Sequence, residues 1–195
     1  MSQYVYHMVP KDMQGDRLIP LNVLGTTYPH LYEQYTKKYF DHPDRPNLLK
    51  RQVPKLHCLW NDVLHFLPMH PFHVYDALTK LEIKKKENLL FFKIPVERLQ
   101  PNQNALYLYS KENFKGPAEE FDEQDFLLLD IAEYKEMRKI PSETVEYYNA
   151  GKKNGKPFGI FHFIPHVLSL GEIDVTNVEI ISWNQEEVSA NVDGH

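Results

Sequence analysis

The stretch DVLHFLPMHPFHVYDALTKL, residues 62–81, places a strand pattern directly before a helix pattern. Residues 62–66 form a short apolar run, and Pro68 and Pro71 mark a turn after it. Beyond Pro71, apolar residues recur at helical spacing, at Val74, Ala77, Leu78 and Leu81. The stretch therefore predicts a β-strand, a turn and an α-helix in succession.

The same two patterns, that of a strand and that of a helix, recur irregularly along the rest of the chain. Alternation or short apolar runs predict strands at residues 4–9, 89–94, 105–109, 159–164 and 178–183. Helical spacing predicts helices at 29–41 and 142–150, the second capped by Ser142. Strands at both ends favour an α+β fold over a doubly wound sheet. We expect a single domain over residues 1–183 and a flexible tail over 184–195.

Composition limits the cellular setting. The chain has 195 residues and a single cysteine, Cys58, so that no intramolecular disulfide can form. Its longest apolar runs are about four residues, whereas a membrane span needs about 20. The N-terminus has neither the charged nor the apolar region of a signal peptide. We expect a cytoplasmic protein with no membrane segment.

Charge is spread unevenly along the chain. The net charge is −5, yet residues 1–100 carry 14 Lys and Arg against 10 Asp and Glu. The acidic second half is typical of a solvated face. The mildly basic first half suits a phosphate-bearing ligand, but it is too weakly basic to predict general nucleic-acid binding.

Histidine is the unusual residue type, with ten in the chain and four between residues 57 and 73. A metal site is one interpretation, with His57 and Cys58 or with His162 and His166 as ligands. Pro165 opposes the second pair, since it breaks the helix that would align the rings. A nucleophilic Cys58 activated by a histidine is another interpretation, although a lone cysteine is more often a small buried side chain.

A histidine-lined nucleotide pocket is the third interpretation. His7 shares a predicted strand face with Val5 and Val9, and His162 falls within a predicted late strand. Either imidazole taken singly fits a hydrogen-bonded core residue. Together they fit two walls of one cleft, in which Trp60 could stack on a base while Asn61 and Asp62 bind ribose or amide groups.

Two blocks resemble ADP-ribosyltransferases. Tyr6-His7-Met8-Val9 resembles the opening strand of that family, where a histidine contacts the ribose of NAD. Residues 61–75 resemble the central block of the DarT-type, DNA-targeting members, in which an aromatic strand leads through a proline turn into a short helix. The resemblance covers about a third of the chain, and it implies a small split β-sheet core with flanking helices.

The resemblance also implies roles for individual residues. It makes NAD the substrate, His7 a catalytic residue on the ribose, and His162 with Glu172 the candidates beside the reacting carbon. The implied cofactor-binding residues are Tyr6, His7, Trp60, Asn61, Asp62, His65, His70 and Tyr75. This sequence departs from the family pattern because His70 stands where the DarT-type block has an arginine, and because no catalytic glutamate is obvious.

Three functions therefore stay open. The first is transfer of ADP-ribose from NAD to an unknown acceptor, protein or nucleic acid. The second is a non-catalytic nucleotide-binding or protein-interaction module on the same fold. The third is a metal-dependent hydrolase whose candidate ligands are His57, His65, His70 and His73.

Overall fold

Antiparallel strands form the frame of the protein, seen here in a computed structural model that describes residues 2–37, 40, 45–114, 116, 120–155 and 158–186. The strands are β1 (Tyr4–Met8), β2 (Arg17–Leu18), β3 (Gln52–Val53), β4 (Cys58–Leu59), β5 (Val63–Phe66), β6 (Leu90–Pro95), β7 (Gln103–Tyr107), β8 (Phe126–Leu128), β9 (His166–Leu170), β10 (Ile173–Asp174) and β11 (Glu179–Ser182). The helices are α1 (Leu21–Thr27), α2 (Pro29–Thr36), α3 (Phe72–Lys80) and α4 (Ser142–Asn154). The predicted α+β class is confirmed.

Two sheets meet at one point. The first has the order β1-β6-β11 and the second the order β5-β9-β7-β8, with every pair antiparallel. They are joined where the Tyr6 N–H donates to the Leu67 carbonyl at 3.0 Å and the Leu67 N–H donates to the Tyr6 carbonyl at 2.8 Å. We call this contact the sheet junction.

The strand that reaches the sheet junction is buried on both faces. Val5 has no exposed surface and packs in a core with Phe66 and Ile94. Tyr6 is equally buried on the other face, in a core with Leu78 and Trp183. Because successive side chains of a strand point to opposite faces, β1 holds two cores together.

The helices agree with the sequence in outline. Pro29 is the first residue of α2 and Pro71 precedes α3, as predicted. The predicted end of the first helix at residue 41 lies outside the described residues. The helix α1 was not predicted, since its seven residues carry no clear period. The predicted cap at Ser142 is wrong, because Ser142 is the first helical residue and Pro141 precedes it without a side-chain cap.

The predicted strand at residues 159–164 is wrong. This segment turns at residues 160–163, where Phe163 has a φ of +57°, and the strand begins only at His166. The carbonyls that a strand would offer to a neighbour instead accept hydrogen bonds from α4, since the Thr144 hydroxyl donates to Phe163 at 3.0 Å and the Tyr148 hydroxyl donates to Ile160. Tertiary contacts therefore decide the backbone here.

Two sequence expectations concern the ends and the surroundings of the chain. Trp183, the last residue of the predicted domain, is fully buried. Most of the predicted tail, residues 187–195, lies outside the described part. Within the ranges given above, no helix combines the length and the apolar character that crossing a membrane requires.

Candidate ligand-binding cleft

A cleft of about 780 Å³ opens beside the sheet junction. Its walls come from the end of β1, the loop after β1, α1, α2 and β5. Three of the predicted cofactor-binding residues line it, namely His7, Asn61 and His65. The sheet junction places them together, because β1 and β5 lie side by side there.

His7 reaches the cleft from the face of β1 that also carries Val5. Its ring packs edge-on against Phe66, with ring centres 5.5 Å apart. Its Nδ1 lies 2.7 Å from the carbonyl oxygen of Met8. A carbonyl can only accept, so Nδ1 carries the proton in this hydrogen bond.

His65 and Asn61 enter from the other side of the cleft. The Nε2 of His65 lies 3.0 Å from the Trp60 carbonyl, and the His65 ring is 4.2 Å from the Trp60 ring. Asn61 is buried in the 3₁₀ turn that precedes β5. The carboxylate of Asp62 stays within the scaffold, since it accepts from the Asn22 side chain at 2.7 Å and from the Leu59 N–H at 2.8 Å.

The inner wall of the cleft is apolar. Leu18, Leu24 and Leu31 line it and are each less than a tenth exposed. Helix α2 fixes the loop that closes one side, because the Tyr35 hydroxyl donates to the carbonyl of Lys11. Burial raises the pKa of Tyr35, so this hydroxyl keeps its proton at neutral pH.

The charged lining is entirely cationic within the described chain. Lys11, Arg17 and Lys86 line the cleft, and no Asp or Glu of the described residues does. Arg17 donates from Nε to Glu172 at 2.8 Å, which places the Glu172 carboxylate behind the arginine and outside the lining. Lys11 and Lys86 form no ion pair with a described residue, and both are exposed. The charged side chains of the lining are therefore all positive, while the carboxylates of Glu172 and Asp12 lie just outside it, bound to the lining residues Arg17 and Gln34.

Three other predicted residues lie away from the cleft. Tyr6 points from the opposite face of β1, and the His70 ring packs edge-on against it at 5.3 Å. His70 is buried, and its Nδ1 accepts from the Phe72 N–H at 3.2 Å. The Tyr75 hydroxyl donates to Glu87 at 3.0 Å. The structure therefore splits the central block between the cleft and the core behind it.

Trp60 belongs to an aromatic core beneath the second sheet rather than to the cleft lining. Its ring lies 5.0 Å from Phe121 and 5.7 Å from Tyr107. Trp60 packs on His65, which lines the cleft. Its contribution is to orient that imidazole by ring contact and by its carbonyl.

His162 lies in a separate aromatic cluster. Its ring stacks on Tyr147 at 4.1 Å, and its Nδ1 lies 2.8 Å from the Tyr109 hydroxyl. Burial lowers the pKa of His162 to about 4, as it does for His166 nearby. Both imidazoles are therefore neutral at pH 7. His162 does not line the cleft, so the three predicted catalytic residues do not converge.

Sequence reasoning missed Glu136, whose side chain binds β1 at the sheet junction, on the face opposite to the cleft. Its carboxyl group accepts from the Tyr6 hydroxyl at 2.8 Å and from the Tyr4 N–H at 3.2 Å. One residue later, the Met137 N–H donates to the Pro68 carbonyl at 2.6 Å. Glu136 is 7% exposed. No period or motif marks it, because it stands in a polar segment between helices.

The metal and cysteine interpretations gain no geometric support. Nowhere in the described ranges do three or more His, Cys, Asp or Glu side chains group as metal ligands would. Burial, followed by the charge of Asp62, raises the pKa of Cys58 to about 11. A nucleophilic cysteine needs a lowered pKa, so the Cys58 thiol is protonated and slow to react.

We compared the chain with protein-family models, with curated proteins and with solved structures, and none of them matches it. The ADP-ribosyltransferase resemblance therefore has only the two sequence blocks behind it. The shape of the cleft and its cationic lining side chains are independent of that resemblance, because they come from the fold itself.

Proposed function

We propose that this chain binds an anionic ligand in the cleft at the sheet junction, and that NAD or a related nucleotide is the first ligand to test. The observation that carries the proposal is the lining: two imidazoles and three cations, with no carboxylate among the described residues. Such a lining attracts phosphate groups. The apolar wall suits a base, and the volume lies within the range of about 300–1,000 Å³ typical of small-molecule sites.

The same lining favours binding over transfer. Transfer of ADP-ribose develops positive charge on the ribose, and a carboxylate at that position would stabilise it. The described lining offers none, and His162 lies in another cluster. We therefore favour the nucleotide-binding module, with NAD bound and not consumed.

ADP-ribosyl transfer to a protein or nucleic acid is the second candidate, and Glu172 is the observation that supports it. Its carboxylate is one side chain away from the cleft, held by the lining residue Arg17. Both side chains are partly exposed, so this ion pair is weak. A ligand phosphate that recruits Arg17 would leave Glu172 to turn toward the ribose.

Calorimetry of NAD⁺ with wild type and His7→Ala tests the proposal. We expect saturable binding that weakens tenfold or more in the variant, a loss of about 1.4 kcal/mol. His30→Ala is the matched control, because His30 is exposed on α2 and does not line the cleft. Absence of binding at about 1 mM NAD⁺, or equal weakening in both variants, would refute the proposal.

Glu172→Gln separates the two candidates. If the chain only binds, the variant frees Arg17 for the ligand, and the affinity for NAD⁺ stays the same or rises by at most about fivefold, because the exposed ion pair that no longer competes is worth at most about 1 kcal/mol. If the chain transfers ADP-ribose, wild type releases nicotinamide and the variant loses that activity. Nicotinamide measured by chromatography distinguishes these outcomes.

A further inference from the structure

Strand β8 forms one edge of the second sheet. In the order β5-β9-β7-β8 it lies at the end opposite to β5, the strand that lines the cleft. It pairs with β7 on one side, and no described strand pairs with its other side. We call β8 together with the two residues before it and the two after it, residues 124–130, the β8 edge.

Backbone hydrogen-bonding groups point outward along the β8 edge. The Leu129 N–H donates to the Asn104 carbonyl of β7 at 2.9 Å, and the Asp125 carbonyl accepts from the Leu108 N–H at 2.9 Å. Because bonding alternates along an antiparallel strand, the N–H and the carbonyl of Leu128 point away from β7. Outside the sheet ladders, no described backbone group pairs with either of them. Leu128 therefore offers a donor and an acceptor to an added strand.

Leucines are exposed on both faces of the β8 edge. Leu127 is 52% exposed, and Leu128, at 68%, is the most exposed large apolar residue of the described chain. As neighbours in a strand they point to opposite faces of the sheet. Natural sheets protect an edge with proline, lysine or a covering element, yet β8 contains neither proline nor lysine. An added strand would bury apolar surface on both faces.

The charge around the β8 edge is negative. Residues 120–134 hold six Asp and Glu and no Lys or Arg. Asp122 before β8 and Asp130 after it are both exposed, while Glu123 pairs with Lys55 at 2.6 Å. A second copy of this chain would bring one acidic end of β8 beside another, and like charges placed opposite each other destabilise strand pairing. A basic strand matches the same charges.

We propose that the β8 edge binds an extended segment of a partner protein, apolar in its centre and carrying Lys or Arg at both ends. The segment adds to the second sheet as a further strand, and its backbone pairs with the N–H and the carbonyl of Leu128. Its apolar side chains cover Leu127 on one face and Leu128 on the other. Its cations lie near Asp122 and Asp130. This surface is separate from the cleft and does not depend on nucleotide binding.

Nuclear magnetic resonance of the full chain labelled with ¹⁵N tests the proposal with synthetic peptides. The basic peptide is acetyl-Lys-Lys-Val-Leu-Val-Lys-Lys-amide. An acidic peptide has glutamate in place of every lysine, and a blocked peptide is the basic one with its apolar residues N-methylated, which removes the donors that strand pairing needs. We expect the basic peptide alone to shift the backbone amide signals of Leu127, Leu128 and Leu129 in a saturable way. Unmoved signals at about 1 mM basic peptide, or equal shifts with either other peptide, would overturn the proposal.

A pair of variants tests the location. Leu128→Lys places a cation that repels the basic peptide, at an exposed position where substitution costs little stability. Ile180→Lys is the matched control, since Ile180 is 52% exposed on β11, the edge strand of the first sheet. We expect Leu128→Lys to weaken binding of the basic peptide about tenfold or more, and the control to bind like wild type. Equal affinity in both variants would contradict the proposal. So would a wild-type dimer, seen by sedimentation equilibrium, that Leu128→Lys dissociates, because the β8 edge would then bind a second copy.

Discussion

Tyr6→Phe removes the hydroxyl that binds Glu136 behind the sheet junction, and leaves the ring in place. The hydrogen bond is 2.8 Å long, and both side chains are buried. Losing the hydrogen bond that Tyr6 donates to this buried carboxyl group costs about 1–3 kcal/mol. A domain of this size loses roughly 2–4 °C in Tm per kcal/mol. We therefore expect a Tm lowered by about 2–12 °C.

Thermal and urea unfolding followed by circular dichroism measure this loss. Tyr4→Phe is the matched control, since Tyr4 lies two residues away on the same strand and its hydroxyl forms no hydrogen bond with a described residue. We expect the control to stay within about 0.5 kcal/mol of wild type. If Tyr6→Phe and Tyr4→Phe unfold at the same temperature, the hydrogen bond between Tyr6 and Glu136 does not stabilise the sheet junction. That result would contradict our account of the packing behind the cleft.

Three other predictions address pH, backbone and thiol chemistry. The pKa of His162 is about 4 when folded, against about 6.5 unfolded, so the unfolded chain binds the extra proton as pH falls from 6.5 to 4. Stability should therefore fall across that window, and His162→Gln should flatten the dependence of the urea midpoint on pH. Gly171→Ala, at a φ of +140° and against Asn102, should cost more than about 1 kcal/mol in urea unfolding, whereas Gly159→Ala, in open space, should not. Cys58 should react with iodoacetamide at pH 7.5 far more slowly than in the urea-unfolded chain, because its pKa is raised to about 11; equal rates would contradict this.

The elements with a strong local pattern were predictable. Strand β1, strand β5 and helix α3 fall where alternation, proline turns and helical spacing placed them. The strand predicted at 159–164 failed because apolar alternation there serves a turn that packs on α4, and the carbonyls bind Thr144 and Tyr148. A local sequence pattern does not show which distant donor will form a hydrogen bond with a given carbonyl.

The candidate site was predictable only in part. His7, Asn61 and His65 line one cleft because the sheet junction brings β1 beside β5. The same strand alternation sends Tyr6 to the opposite face, toward His70 and Glu136. Adjacent residues of one motif therefore point to opposite faces of the sheet, so they do not belong to one site.

The sequence by itself determined the α+β class, the two prolines that begin helices, and the unusual density of histidine, because these depend on local backbone preference and composition. Only the tertiary structure decided which histidines share a cleft, and that Arg17 stands between Glu172 and that cleft. These features join residues up to 155 positions apart in the chain. Such pairings depend on chain closure and on core packing. The local sequence around each residue therefore does not show which distant residue it will contact.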